Sequence, residues 1–500
     1  MKKSLSTPAI AAGLLTLMSF ALRGMGMLFR VYLTDVMGAA GIGLYQLIMS
    51  VYSVFATFAT SGFTVAVSRL AAERISEDGN RKGSVRVLVA SSALALCVGG
   101  GASAVLYGGA GYMAQHFIGE ASAAPSLRIL ALSMPFMALS ACLKGYFIAV
   151  GQIYKPTAAS LFEQSAKIVI TVLVFSRISG DSASAAALCG GALAGITAGE
   201  CFSFIFLFVL YVFFSGDKGS GRVKEGLLSS VKGVAGVTMP IAASAYVTNL
   251  LHGVESVLLP DRFARHGGSR EAALAEFGTV RGMSIPLLFF PYAFLGALLS
   301  IQVPAVSQLG ARGDLQGRNR LIGRIMESTM CFSVVCGGFF FLFAKELSLG
   351  VYGNTDCVRS LRLLALVTPF MYMETMSDGL LKTVGEQKRT LVYSIINSVF
   401  RIVGVLFYIP YSGSMGYLWL LMASNTLSFL LCYGRLRRLC GFRIGASSVI
   451  RCVLQCIFCL GGAFIVSKTG FLNSYALRAG SIALATALLY LWADRVGART

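Results

Sequence analysis

The sequence predicts an all-α integral membrane protein of about fourteen transmembrane helices, built as two parallel six-helix repeats with two further helices at the C-terminus. Three observations predict it. Of 500 residues, 56% are apolar and only 13% charged, with a mean hydropathy of +0.74, whereas a soluble chain carries about 25% charged residues. Apolar runs long enough to cross a hydrocarbon core, roughly 20 residues each, recur from end to end. The third observation is an internal repeat.

In order, the apolar runs predict helices at 8–33, 41–66, 86–110, 127–149, 156–176, 184–214, 234–260, 280–304, 325–344, 360–381, 390–410, 414–434, 448–467 and 474–493. The first begins after Lys2-Lys3 like a signal peptide. It carries Arg23 and Arg30 and has no small-x-small cleavage site, so it reads as an uncleaved helix. The connections are short, and the two longest, about 215–233 and 261–279, are too small to fold alone. The 56 glycines suit a helix bundle, because small residues let membrane helices approach closely.

The net charge of +20 is topological and gives no sign of nucleic-acid binding. Alternate connections hold the basic residues: Lys2 and Lys3; Arg69, Arg74, Arg81, Lys82 and Arg86; Lys155; Lys218, Arg222, Lys224 and Lys232. The series continues through Arg312, Arg318, Arg320 and Arg324; Lys382, Lys388 and Arg389; Arg435, Arg437, Arg438, Arg443 and Arg451; and Arg495 and Arg499. The intervening connections are poor in Lys and Arg, apart from Arg262, Arg265 and Arg270. Basic connections stay cytoplasmic, so both termini are expected on the cytoplasmic side of the cell membrane, as an even helix count also requires.

The repeat sets Leu127–Met137 (LRILALSMPFM) against Leu361–Met371 (LRLLALVTPFM), with eight identities in eleven positions at an offset of 234 residues. It runs on to Val150-Gly151-Gln152 against Val384-Gly385-Glu386, and to Lys167 against Arg401. An even number of helices per repeat makes the copies parallel, with the substrate path expected between them. The implied lobes are 1–220 and 221–440, with 441–500 as the extra pair of helices. Two lobes rocking about a central site would give alternating access.

Charged side chains within the apolar runs are the candidate site residues, since each costs about 2.5–3.5 kcal/mol at the bilayer centre even on a mild scale. Arg23 and Arg30 lie seven apart on one face of the first helix. Their forked guanidinium suits a phosphate; a structural ion pair for Arg23 and snorkelling for Arg30 are the alternatives. Glu163 and Lys167, four apart, suit a local salt bridge. Glu200 has no local partner. His252 and Glu255 share a face that could carry a proton. Arg281 opens the eighth helix. Glu374 and Asp378 precede Lys382 by two turns and one, and Arg401 lies within the eleventh helix. A coupling-ion site or structural pairing would explain these.

The absences narrow the function. No G-x-x-x-x-G-K-[ST] phosphate loop and no G-x-S-x-G turn occur. The three histidines (His116, His252, His266) are scattered, and the cysteines form no double C-x-x-C set of the zinc-binding kind. Cys452, Cys456 and Cys459 share a face of an apolar run and read as ordinary small residues of that helix. No cofactor or metal is expected. What remains is a transporter driven by an ion gradient, of protons or sodium, or by the membrane potential.

The segments GAAGIGLYQLIMSVYSVFATFATSGFTVAVSRLAAE (38–73), LKGYFIAVGQIYKPTAASLFEQSAKI (143–168) and GMSIPLLFFPYAFLGALLSIQVPAVSQL (282–309) resemble the stage V sporulation protein B family of polysaccharide and lipid-linked oligosaccharide flippases, within the multidrug/oligosaccharidyl-lipid/polysaccharide superfamily. The resemblance implies a two-lobed, fourteen-helix flippase. Its cargo would be a polyprenyl-pyrophosphate-linked sugar, with peptidoglycan precursors the cargo of the related lipid II flippases. It also implies cavity arginines that meet the pyrophosphate, roles that Arg23 and Arg30 match in kind and Arg281 more loosely. Lys144 and Ala149 stand where the family more often has arginine and glutamine. Two other readings compete. A cation-coupled multidrug exporter of the same superfamily would need an acidic cavity, which the helix 1 arginines oppose. A membrane glycosyltransferase would need acceptor-activating carboxylates on a sizeable external loop, where only Asp261, Glu271 and Glu276 are available.

Overall fold

A computed structural model of the chain describes residues 6–78, 82–178, 184–214, 227–266 and 269–442, with positions 450, 454, 457 and 461 beyond. Apart from those four positions, the predicted helices at 448–467 and 474–493 lie outside the described residues, as do Lys2, Lys3, Arg81, Lys218, Arg222, Lys224, Arg443, Arg451, Arg495, Arg499 and the cysteines Cys452, Cys456 and Cys459.

The described chain is helical throughout. Its elements are α1 (Ser6–Thr60), α2 (Phe63–Asp78), α3 (Lys82–Met113), α4 (Ala124–Ala131), α5 (Met134–Ala149), α6 (Tyr154–Ile178), α7 (Ala185–Phe214) and α8 (Leu227–Arg265). There follow α9 (Arg270–Phe277), α10 (Ile285–Phe289), α11 (Tyr292–Ala311), α12 (Leu315–Leu342), α13 (Ala344–Tyr352), α14 (Val358–Thr383), α15 (Gln387–Phe407) and α16 (Ile409–Cys440). Two π-helical stretches, Ala114–Ile118 and Gly278–Ser284, interrupt the series. Among the described residues eight helices are long and apolar enough to cross a membrane; a ninth forms if Val231–Met239 and Ala242–Arg265, bent by 47°, make one span. This is a multi-pass membrane protein.

Several predicted boundaries differ from the structure, among them the following. The first two predicted helices run together as α1, which bends at Gly38 (φ 65°, ψ −179°), a conformation that costs glycine little. The predicted connection at 261–279 is largely helical. α8 runs on to Arg265, with Asp261 bound to Arg265 at 3.3 Å, and α9 starts at Arg270, its Ser269 side chain accepting from the Ala272 amide at 3.2 Å. The charged helix ends extend past the apolar run, which is why hydropathy alone misplaced them. Arg281 therefore does not open a helix; it sits in the π-helical stretch within the helical run that starts at α9.

The sequence repeat is also a repeat of backbone geometry. After α5 the amides of Val150, Gly151 and Gln152 donate to the carbonyls of Tyr146, Ile148 and Phe147 at 3.1, 3.0 and 2.9 Å. After α14 the amides of Val384, Gly385 and Glu386 donate to Leu380, Lys382 and Leu381 at 3.0, 3.2 and 3.0 Å. Every donor and acceptor is displaced by the same 234 residues, and both turns use a left-handed glycine, at φ 79° and 89°. Helix packing is alike in kind, the glycines being offset by 238 residues and the prolines by 234. A Cβ placed on Gly99 of α3 would lie 3.5 Å from Cα of Pro135, and one on Gly337 of α12 would lie 3.3 Å from Cδ of Pro369.

The chain packs as two units. The first comprises residues up to Leu33 together with Leu44–Leu258; the second comprises Thr34–Gly43 and the chain from Leu259 onward. The change-over falls inside α8, between Leu258 and Leu259. Phe63, Val67, Ala138, Cys142, Tyr146, Phe147 and Leu207 are buried together in the first unit. Tyr372, Met373, Met376, Leu380, Met326, Ile322 and Leu436 are buried together in the second. In a bilayer, burying apolar side chains against one another gains little over lipid, so close packing of small residues carries more of the association. In the first unit α7 supplies it. A Cβ on Gly191 would lie 3.0 Å from Val174, one on Gly195 would overlap the Thr171 hydroxyl, and one on Gly199 would lie 3.0 Å from the Glu163 carbonyl. The four-residue spacing keeps all three glycines on the face of α7 that meets α6.

Candidate functional site

The α6–α7 packing determines which charges meet in the first unit. Gly199 packs on the backbone at Glu163 and on Lys167, where a Cβ placed on it would lie 3.2 Å from Lys167 Cβ, and the next residue, Glu200, enters the electrostatic field of Glu163, Lys144 and Lys167. Helix α5 contributes Lys144, whose Nζ donates to Glu163 Oε2 at 3.4 Å, both side chains being mostly buried. The Glu163–Lys167 bridge expected from the four-residue spacing is replaced by this inter-helix pair. Lys167 lies instead with Nζ 5.7 Å from the centroid of the Phe29 ring on α1, a cation–π placement.

Helix α1 closes the cluster. Tyr32 packs on Phe175 with centroids 5.9 Å apart, and a Cβ on Gly26 would lie 3.9 Å from Gln164 Nε2. Arg30 is thereby within electrostatic reach of Lys167 and of Tyr45. Tyr52, also on α1, hydrogen-bonds with Ser133 Oγ at 2.6 Å and feels both Glu200 and Glu163. Four helices thus bring Arg30, Lys144, Lys167, Glu163 and Glu200 together: three cations against two carboxylates. Paired charges of this kind are tolerated in the bilayer interior where an isolated one is not.

The other predicted residues fall elsewhere. Arg23 is exposed on α1, two turns or roughly 10 Å along the axis from Arg30. On α8 Glu255 is fully buried and its Oε2 lies 3.7 Å from Nδ1 of the half-exposed His252. In the second unit Arg281 Nε donates to the buried Tyr417 hydroxyl at 3.0 Å and its guanidinium lies 5.9 Å from that ring's centroid. Glu374 accepts from Ser428 Oγ at 3.0 Å and from Thr375 Oγ1 at 3.2 Å. Asp378 binds Lys382 at 2.6 Å, one turn along α14. Arg401 lies half-buried on α15.

Sequence reasoning did not count Lys144 among the site residues. The repeat held a signal for it: the 234-residue offset pairs Lys144 with Asp378, and Glu163 with Asn397. The shared helix packing does not demand a cation on α5, since its counterpart on α14 is an anion.

The family model of polysaccharide biosynthesis proteins matches residues 11–268, which include every member of this cluster. The chain belongs to that family. A curated relative is stage V sporulation protein B of Bacillus subtilis (strain 168), 24% identical over 421 residues that span 81% of this chain and 77% of that one. Among solved structures, the lipid II flippase MurJ in an inward closed conformation is similar with a TM-score of 0.73 and 12% identity, covering 98% of this chain and 99% of that one. A multidrug resistance MATE family transporter of the MOP superfamily, in an inward-facing conformation, is similar with a TM-score of 0.66 and 14% identity, covering 86% and 100%. The fold of this family member is the one those transporters share.

Proposed function

We propose that this protein is a flippase that moves a polyprenyl-pyrophosphate-linked oligosaccharide or peptidoglycan precursor across the cytoplasmic membrane by alternating access. The observation that carries the reading is the cation-rich cluster of Arg30, Lys144 and Lys167 in the apolar helices of the first unit. Such a cluster suits a diphosphate, which bears two charges and oxygens that accept from guanidinium and ammonium groups. Membership of the polysaccharide biosynthesis family and similarity to stage V sporulation protein B support the same cargo class, in cell-wall, sporulation or exported-polysaccharide synthesis.

In this reading Arg30 holds the pyrophosphate together with Lys144 and Lys167, and Arg23 and Arg281 serve the cargo elsewhere along its path. His252, Glu255, Glu374, Asp378 and Arg401 serve a coupling ion, proton or sodium, or the response to the membrane potential. The lobes are 1–220 and 221–440, both termini are cytoplasmic, and the cargo leaves with every covalent bond it brought, so no enzymatic step is involved. The similarity to a MATE transporter supports a second reading, a cation-coupled multidrug exporter. Three basic side chains gathered in one cluster oppose a cationic cargo.

The test is translocation of a fluorescent undecaprenyl-pyrophosphate sugar in proteoliposomes, for wild type beside Arg23→Ala and Arg30→Gln. Translocation by wild type that falls at least tenfold in a folded Arg30→Gln protein supports the reading. Wild type that moves no lipid-linked sugar, with or without an imposed potential, but exports cationic dyes establishes the exporter instead.

A further inference from the structure

The charge balance of the first unit has a consequence for protons. Glu163 and Glu200 lie within electrostatic reach of each other and both lie near Tyr52. Glu163 is held by Lys144 at 3.4 Å, and Lys167 and Arg30 complete the surroundings; Cys201 is the remaining titratable neighbour of Glu200, on its own helix. Glu163 is the counter-ion of Lys144, and both carboxylates act electrostatically on Lys167. A diphosphate that enters must take those cations for itself, leaving two carboxylates close together in a medium that screens them poorly.

We infer that binding of a diphosphate at this cluster takes up a proton on the Glu163–Glu200 pair, as Lys144 exchanges Glu163 for the ligand. The inference rests on the flippase reading and adds to it a stoichiometry. A proton enters with the anion, so release of the cargo on the other side releases the proton there. The geometry favours the exchange at Lys144 in particular. Its partner sits on a different helix at 3.4 Å, a long bond for an ion pair, and its side chain is about a quarter exposed. The repeat-equivalent Asp378 is bound instead to a lysine of its own helix, so a cation at this position belongs to the first unit alone.

The experiment is titration calorimetry of the full chain in nanodiscs with undecaprenyl-pyrophosphoryl N-acetylglucosamine, near neutral pH, in two buffers of different ionisation enthalpy. This diphosphate diester has no group that titrates near neutral pH, so any buffer dependence reports protons on the protein. Wild type is expected to take up about one proton per ligand and to bind more weakly as pH rises. The isosteric double variant E163Q/E200Q is expected to bind several-fold more tightly, with no proton uptake and a flat pH dependence. K144M is expected to lose about tenfold in affinity. Wild type that binds with equal heat in both buffers overturns the proton linkage and leaves the flippase reading standing, as does uptake that persists in the double variant. Wild type that does not bind overturns both.

Discussion

Gly199 of α7 and Glu163 of α6 touch through their backbones, so closely that a Cβ on the glycine would lie 3.0 Å from the Glu163 carbonyl oxygen. That contact determines where Glu200 stands, and with it the charge cluster of the first unit. Substituting Gly199 by alanine forces the two helices apart. It should lower stability by about 1–3 kcal/mol, the usual cost of overpacking. Gly101 and Gly108 of α3 have open space around the missing Cβ, and alanine there should be neutral or slightly stabilising through helix propensity. Thermal unfolding in detergent of the three single variants separates the two outcomes. Equal melting temperatures would mean that the α6–α7 approach is not set by the glycine.

The Lys144–Glu163 pair lends itself to a double-mutant cycle. Removing the lysine alone leaves a mostly buried carboxylate without its partner, and removing both relieves it. K144A should cost about 2–4 kcal/mol, and the K144A/E163A protein should regain part of that loss, with a coupling energy of about 0.5–3 kcal/mol. Additive single effects in urea or thermal unfolding would show that the two side chains do not interact.

The two repeat-related turns make a paired prediction. Gly151 and Gly385 adopt φ 79° and 89° with the same set of amide–carbonyl bonds. Alanine at either should cost on the order of 1 kcal/mol, because a Cβ is strained in that conformation. The costs should agree to within about 0.5 kcal/mol and add in the double variant. A large loss at one site and none at the other, by thermal unfolding, would count against equivalent geometry.

Acid sensitivity is expected from the connection after α14. Glu386 accepts from Arg435 Nη2 at 2.8 Å and pairs with Arg389 at 3.1 Å, and the Arg435 hydrogen bond holds its carboxyl below the ordinary range. A carboxylate with a lowered folded-state value stabilises the fold above its ordinary value, near 4.3. That contribution is lost as pH falls from there through the lowered value. Wild type should therefore lose melting temperature on acidification faster than E386Q does, the two curves converging at the acid end. Parallel curves would show that Glu386 does not titrate with folding.

The helices were legible because each span must be apolar, and a run of about 20 such residues has no soluble alternative in a chain this poor in charge. Their interruptions were harder to read. Gly38 bends α1 and Gly278–Ser284 winds as a π-helix, yet glycine is common in membrane helices and does not announce a break. Arg30, Glu163, Lys167 and Glu200 were legible as charges inside apolar runs. Their partners were not. The four-residue spacing of Glu163 and Lys167 pointed to a bridge along one helix, but packing gave Glu163 to Lys144, nineteen residues earlier. Likewise Ser428 reaches Glu374 from a helix 54 residues away. Local spacing describes one helix face, whereas the identity of the facing helix is decided by the glycine stripes and turns of the whole unit.

Ten residues of the N-terminal region, Thr34–Gly43, pack with the second unit. There a Cβ on Gly278 would press on the amide of Gly43 at 2.8 Å, and one on Gly282 would lie 3.0 Å from Ile42. On the ribosome those ten residues wait for partners more than 200 residues downstream, on the order of ten to fifty seconds at ordinary elongation rates. During that interval Gly38 and its neighbours lack the surface they pack against. A second unit expressed from residue 227 onward would lack a piece of its own interior. Supplying residues 1–226 as a separate chain should rescue it, because this half of the protein is completed by a segment made well before the rest of it.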